Sequence, residues 1–306
     1  MGRQTSSSLL QLRGYLAAGL LRLVGKLPLN WLQALGRGLG VLLWWLPNKS
    51  RRITLINLRL CLPQLSDASR ERLCQQNLKQ TATGLLELPW VWSHPQATLS
   101  HVQAVQNGDA LRDTLAAGRP AIILAPHLGN WEVLNFWLSE QFDFHAVWLP
   151  SGMDALDALI REGREQFRAT LHPATARGVA SLVRALRDHK GEFASLSGIL
   201  PDQVPDRRSG QFAPFFGQPA ATGTLPVKLI KQTGARAFMA FAMRLPDGNF
   251  EIRLRDPEDG VYDDDLDQAL PALNRSIEKL VMEAPDQYLW SYQRFRRKSP
   301  EGDRPY

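Results

Sequence analysis

Ala121-Ile122-Ile123-Leu124-Ala125-Pro126-His127-Leu128-Gly129-Asn130-Trp131-Glu132 is the stretch on which the fold turns. Its first five residues are an unbroken apolar run of strand length after the turn Gly118-Arg119-Pro120, as expected of a strand buried on both faces. A helical pattern from Trp131 to about residue 140 follows. His127 comes directly after the strand, and Glu132 opens the helix. On one continuous helix the two side chains would diverge by about 140°. On one continuous strand they would stand roughly 16 Å apart. They can meet only if the chain turns between them, and Gly129-Asn130 is turn chemistry. The turn then lies at the carboxyl end of a sheet strand, where α/β proteins bind ligands.

Strand and helix patterns alternate from there to the C-terminus. A strand is expected near 144–149, helices over 154–171 and 179–188, and a second buried strand at 193–200. A helix near 225–232 leads to a strand at 235–243, an alternating strand at 250–254 and a closing helix over 266–282. Alternation at these intervals predicts an α/β fold with a mostly parallel central sheet flanked by helices. Toward the N-terminus the pattern changes. Residues 66–106 read as more polar helix, begun by Ser66, Asp67 and Glu71. Trp90 and Trp92 suit a lipid surface or the core equally. Residues 8–63 are rich in Leu and Trp and are broken into helices by Pro28 and Pro47. The expected division is a membrane-associating helical segment, 1–63, and an α/β domain, 64–306.

Charge supports that division. The net charge of +6 is concentrated at one end: no Asp or Glu precedes Asp67, while nine Arg and Lys do. Nucleic acid is one class of partner for a basic chain. Here the cations are interleaved with bulky apolar residues, as in Leu20-Leu21-Arg22-Leu23-Val24, which suits an anionic membrane surface and not a nucleic acid. Arg13, Arg22, Lys26 and Arg37 interrupt every apolar run before the ~18 residues of a clean span. Interfacial or shallowly inserted helices are therefore expected over 8–46, with one short span as the alternative. No small-residue cleavage site marks a signal peptide, and Met1-Gly2 with Ser6 matches only a permissive myristoylation pattern. Cys61 and Cys74 show no metal-site or redox spacing and read as inert thiols.

A histidine near neutrality can take a proton from a hydroxyl, and a carboxylate on its other ring nitrogen would fix its tautomer. A strand-capping core histidine beside an ordinary first-turn acid is the alternative reading of His127 and Glu132. Competing chemistries leave no trace. There is no G-x-S-x-G, Walker A or H-E-x-x-H motif, and His94, His101, His145, His172 and His189 have no metal-ligand spacing. No cofactor or metal is expected.

Histidine, four residues, then Glu or Asp resembles the signature of the lysophospholipid acyltransferase superfamily. The wider His127-Leu128-Gly129-Asn130-Trp131-Glu132 is similar to the late acyltransferases of lipid A biosynthesis, the lauroyl and myristoyl transferases. Three other places carry the same resemblance: Pro201-Asp202-Gln203 with 212–222, the ending Gln287-Tyr288-Leu289-Trp290-Ser291-Tyr292-Gln293-Arg294-Phe295, and Arg51-Arg52 with Asn57-Leu58. It implies an enzyme with His127 as general base and Glu132 as its orienting partner. Arg164 would bind phosphate or a carrier group, with Arg161 as the competing choice. Asp202 and Gln203 would brace Arg164 or meet the lipid headgroup; Asp202 also follows an apolar strand, an observation independent of the resemblance. Oxyanion stabilisation would come from donors near Gly129 and Asn130 or from Arg164.

The implied donor is an acyl thioester on acyl carrier protein, and the implied acceptor is a hydroxyl of a lipid A precursor. The implied location is the cytoplasmic face of the bacterial inner membrane. No Cys or Ser is placed to form an acyl-enzyme, so direct attack is expected. Where many relatives carry an Arg- and Asn-rich stretch, this chain has Leu149-Pro150-Ser151-Gly152-Met153-Asp154. That leaves another lipid acceptor, such as a lysophospholipid, open. A lipid hydrolase using the same pair and a non-catalytic lipid carrier also stay open.

Overall fold

The computed structural model describes residues 2–188, 191–298 and 305–306, with side chains from residue 9 onward. Met1, Ser6 and His189, named above, lie outside that description in whole or in side chain. A seven-stranded sheet has the spatial order β1-β9-β8-β2-β5-β3-β4. Its strands are β1 (Val102–Gln106), β2 (Ala121–Leu124), β3 (Phe144–Trp148), β4 (Ala169–Pro173), β5 (Leu196–Ile199), β8 (Arg236–Arg244) and β9 (Phe250–Arg255). Every neighbouring pair is parallel except β8 with β9, which a tight hairpin joins. A separate antiparallel hairpin is formed by β6 (Gly210–Phe215) and β7 (Gln218–Gly223).

The alternating burial of β2 explains the layers. Ile122 and Leu124 join one core with Leu182, Leu229 and Ile277, whereas Ala121 and Ile123 join the other with Leu111, Val133 and Phe136. Successive strand residues point to opposite faces, so a strand apolar at every position needs helices on both sides. One layer holds α6 (Gly108–Ala116) and α7 (Trp131–Gln141); the other holds α9 (Ala176–Arg187), α10 (Leu225–Thr233) and α11 (Leu266–Glu283).

Four helices precede the first strand's approach: α1 (Gly2–Val24), α2 (Leu29–Trp45), α3 (Lys49–Cys61) and α4 (Asp67–Ser93), then the short α5 (Pro95–Ser100). Pro28 caps α2 and Pro47 separates α2 from α3. Helix α2 lies against α4 with almost no side chain between them: a Cβ on Gly36 would stand 2.4 Å from the Thr83 Cα, and one on Gly40 2.3 Å from the Lys79 Cα. The opposite faces of α1 and α2 are unusual for a folded protein. Leu9, Leu12, Leu16, Leu20 and Leu23 form an exposed stripe at helical spacing, and Trp31, Leu35, Leu39 and Leu42 form a second. No helix among the described residues is long and apolar enough to cross a membrane.

Two sequence expectations are corrected, and an open choice is decided. Residues 154–171 are not one helix: α8 (Asp154–Arg164) stops, Phe167 takes a left-handed φ of 54°, and Leu171 lies in β4. The polar helical region expected to reach residue 106 ends earlier, and Val102–Gln106 is an edge strand. Trp90 is buried, and Trp92 is covered by Gly163 of α8, so both belong to the core.

Candidate active site

Strands β2 and β5 are parallel neighbours in register, Leu124 opposite Ile199. Each runs on through the same short exit: Leu124-Ala125-Pro126-His127 on one, Ile199-Leu200-Pro201-Asp202 on the other. Proline has no N–H to continue a ladder, so both chains leave the sheet at the same level. The third residue beyond each strand therefore arrives beside the other, with adjacent strands only about 4.8 Å apart.

The result is a doubly bonded pair. The His127 backbone N–H donates to Asp202 Oδ2 at 3.0 Å, and His127 Nδ1 lies 2.8 Å from Asp202 Oδ1. The carboxylate makes Nδ1 the protonated nitrogen and leaves the lone pair on Nε2. The Gln203 side-chain amide donates to that Nε2 at 2.9 Å. Asp202 is buried; burial alone would raise its pKa, but the His127 ring, the two hydrogen bonds from His127 and the Arg294 guanidinium hold it below the usual carboxylate range.

Both ring nitrogens of His127 are thus occupied, and neither partner is Glu132. The expected assignment of partners is exchanged. Glu132, also buried, accepts from Arg164 Nε at 2.8 Å and Nη2 at 2.6 Å, and from Trp131 Nε1 at 3.2 Å. So Asp202 braces His127, not Arg164, and Glu132 braces Arg164. The reason is backbone geometry: after the Gly129 turn, φ 64°, Glu132 is in the first turn of α7 and faces α8, away from the imidazole's Nδ1. Arg161, the competing arginine, pairs with Glu165 on the exposed face of α8.

The turn itself is tightly accounted for. A Cβ on Gly129 would meet the Ala242 carbonyl oxygen at 2.0 Å, so only glycine fits. The Gly129 N–H donates to the Gln287 carbonyl, and the Asn130 N–H donates to the Ala242 carbonyl. The Asn130 Oδ1 caps α7 through the Glu132 and Val133 N–H groups. These backbone donors, expected to face an oxyanion, are already spent within the fold. Gln203, an exposed side chain on Nε2, and Arg164, partly exposed and lining a cavity, are side-chain donors beside the imidazole and Glu132.

The C-terminal segment closes the site from behind. Leu289 N–H bonds to the His127 carbonyl, and Tyr292 Oη accepts the Val204 N–H at 2.9 Å, so one stretch of chain holds both loops of the site. Asn57 of α3 donates to the carbonyls of Trp290 and Tyr292, and Asn77 of α4 to those of Asp286 and Tyr288. This gives a physical reason for the Asn57-Leu58 and Gln287–Phe295 stretches. Arg294, buried behind Asp202, reaches the carbonyl of Ala221 and the Thr222 hydroxyl on β7.

Two cavities meet at Trp131, and the His127 ring lines the second. One of about 70 Å³ runs between α7 and the sheet, lined by Leu134, Leu138, Phe144, Trp148 and Gly198, with Glu132 and Arg164 at one side. The other, about 40 Å³, lies between α4 and the turn, lined by Gly84, Leu85, His127, Trp131 and Leu289. Trp131 borders both and meets the His127 ring edge-on at 5.3 Å. Cys61 and Cys74 are buried, and burial pushes both thiols up, Cys74 to about 12.

The family described as bacterial lipid A biosynthesis acyltransferase matches residues 1–297. The chain is 29% identical to a lipid A biosynthesis lauroyltransferase of Escherichia coli strain K12, covering 94% of this chain and 92% of that one. It is 27% identical to the palmitoleoyltransferase of the same strain, over 93% and 91% of the two chains, and 25% identical to its myristoyltransferase, over 85% and 80%.

Proposed function

Since this chain belongs to the bacterial lipid A biosynthesis acyltransferases, we propose that it moves a fatty acyl group from an acyl carrier protein thioester to a hydroxyl of a lipid A precursor, with His127 as general base. The observation that carries this reading is the Asp202–His127–Gln203 line: a buried carboxylate on Nδ1 and, at Nε2, a lone pair hydrogen-bonded among the described residues to nothing but the exposed Gln203 amide, beside an apolar cleft.

In this reading the acceptor hydroxyl displaces the Gln203 amide and donates to His127 Nε2. The base removes its proton as the oxygen attacks the thioester carbonyl, and Asp202 stabilises the imidazolium that forms. Arg164, held by Glu132, supplies positive charge to the tetrahedral oxyanion, together with the freed Gln203 amide. Glu132 then acts through Arg164, as a positioning residue. The thiol leaves with the proton carried by His127. No acyl-enzyme is needed. The fatty chain enters at the cavity between α7 and the sheet, whose walls are mostly apolar and which must widen to take the whole chain.

The exposed leucine and tryptophan stripes of α1 and α2, flanked by Arg13, Arg22, Lys26 and Arg37, suit an anionic bilayer surface. We place the enzyme on the cytoplasmic face of the inner membrane, lying on the bilayer.

The test is acyl transfer from carrier-protein thioesters to a tetra-acyl lipid A precursor, read by mass spectrometry beside His127→Ala. A single-acyl mass gain lost in the variant supports the reading. Free fatty acid alone would favour a hydrolase, and an unaltered acceptor with intact thioester would redirect the same donor to lysophospholipids.

A further inference from the structure

Two of the anchors of the segment from His127 to Glu132, at Gly129 and at Asn130, lead to one buried ion pair. Glu87 of α4 is fully buried. Its Oε1 accepts from Gln33 Nε2 at 2.9 Å and Arg244 Nε at 2.7 Å; its Oε2 accepts from Arg244 Nη2 and from Asn130 Nδ2 at 3.1 Å. A carboxylate offers about four acceptor positions, so this one is saturated. Asn130, held there by its amide nitrogen, uses its amide oxygen to cap α7. Glu87 thus fixes the residue that starts the helix carrying Glu132.

Arg244, at the end of β8, reaches the other anchor. Its backbone N–H and carbonyl are both taken by the Gln287 side chain, at 2.9 and 2.8 Å. The Gln287 carbonyl in turn accepts the Gly129 N–H. The third arm of the guanidinium, Nη1, donates to Gln80 Oε1 at 2.9 Å, on the wall of the cleft beside His127. Neither residue of the pair touches the imidazole, yet each bears on one part of the turn. Gln33 extends the network to α2, where it also donates to the Gly248 carbonyl.

We propose that Glu87 and Arg244 are positioning residues for acyl transfer, whose ion pair sets the conformation of the 127–132 turn and so the aim of His127 and Glu132. The activity part of the test rests on the function proposed above; the exchange part does not. A buried ion pair exchanged as a unit for apolar side chains commonly leaves stability unchanged or raised. Glu87→Leu with Arg244→Met therefore separates positioning from folding.

The double variant is compared with wild type for thermal midpoint, for amide hydrogen exchange at residues 129 and 130, and for kcat and KM. Expected are a midpoint within a few degrees of wild type and exchange at Gly129 and Asn130 faster by about tenfold or more, with the β2 amides unchanged. The kcat should fall by about tenfold or more while KM for the thioester stays within about twofold. Arg244→Lys, which keeps the charge but loses the fork, is run beside it and should give the same pattern if the double variant does not fold. Wild-type exchange at 129 and 130 in either folded variant would overturn the proposal. That readout needs no substrate, so it decides the matter even if the wild-type enzyme transfers no acyl group to the acceptor chosen.

Discussion

Asp202 holds His127 by two separate contacts, one to the backbone N–H at 3.0 Å and one to ring Nδ1 at 2.8 Å. The first fixes where the loop after β2 sits, and the second fixes which ring nitrogen bears the proton. Position and tautomer are thus set by one side chain, delivered from the neighbouring strand by the matched exits of β2 and β5.

Replacing that carboxylate by its amide tests the arrangement directly. Asp202→Asn keeps the shape but can present an N–H to Nδ1, favouring the wrong tautomer. We expect kcat to fall by about 10²- to 10⁴-fold with little change in KM. The same loss from Glu132→Gln, with activity retained in Asp202→Asn, would restore Glu132 as the partner of His127.

The Glu132–Arg164 pair is asymmetric, and so should be the cost of breaking it. Glu132 has 1% of its side chain exposed, Arg164 29%. Arg164→Met strands a buried carboxylate and should destabilise by about 3–5 kcal/mol at neutral pH. Glu132→Gln frees an arginine that can turn to solvent and should cost only about 1–2 kcal/mol. Urea denaturation of both variants checks the order.

Gly198 and Phe144 set the depth of the cavity proposed for the fatty chain. A Cβ on Gly198 would stand 2.7 Å from the Phe144 ring, and both residues line the cavity, so Gly198→Ala must displace the ring and adds a methyl group at that wall. The expected outcome is a product distribution moved to shorter acyl chains, and for Phe144→Leu a move to longer ones. Mass spectrometry of products from a mixed set of donor thioesters reads both.

His172, buried against a second histidine, should make stability depend on pH. His145 Nδ1 lies 3.1 Å from His172 Nε2, and His145 Nε2 lies 3.1 Å from Asp143 Oδ2, with both rings buried. Burial, and then the neighbouring His145, lower the His172 pKa below its ordinary value. The unfolded chain therefore takes up this proton first as pH falls. Its contribution to stability is present above the unfolded pKa of about 6.5 and is lost progressively below it. The thermal midpoint should drop between pH 7.5 and 5.5, and His172→Gln should flatten that part of the profile.

Vesicle binding tests the outward stripes of α1 and α2. Leu16→Ser with Trp31→Ser removes two large exposed apolar groups without touching the core. Affinity for vesicles containing anionic lipid should fall by about tenfold or more. Wild-type binding should weaken with added salt, as expected if the basic residues also contribute.

Much of the architecture could be read along the chain, because it depends on local pattern. Residues apolar at every position, as at 121–125, demand helices on both faces, and Gly129-Asn130 demands a turn. Both are consequences of backbone sterics and burial within a dozen residues. The break at Phe167 was not legible: an aromatic residue in a left-handed conformation is held by tertiary packing, here edge-on against Phe136. The edge strand β1 was missed for a related reason. Its pairing partner β9 lies some 150 residues away, and its own side chains are largely exposed, so no burial pattern marks it.

The candidate site divides along the same line. Strand ends, turn chemistry and a family resemblance picked out the candidates along the chain: His127, Glu132, Arg164, Asp202 and Gln203 stand in or beside one constellation. Which of them pair depends on contacts between segments. His127 and Glu132 are five residues apart, yet Asp202, 75 residues away, takes the imidazole, and Glu132 takes Arg164. Strand order explains the difference. Sequence spacing sets how far apart two residues of one segment can be, but contact between segments depends on which strands are neighbours and in what register. Long-range hydrogen bonds and core packing settle that together, and no local stretch encodes it.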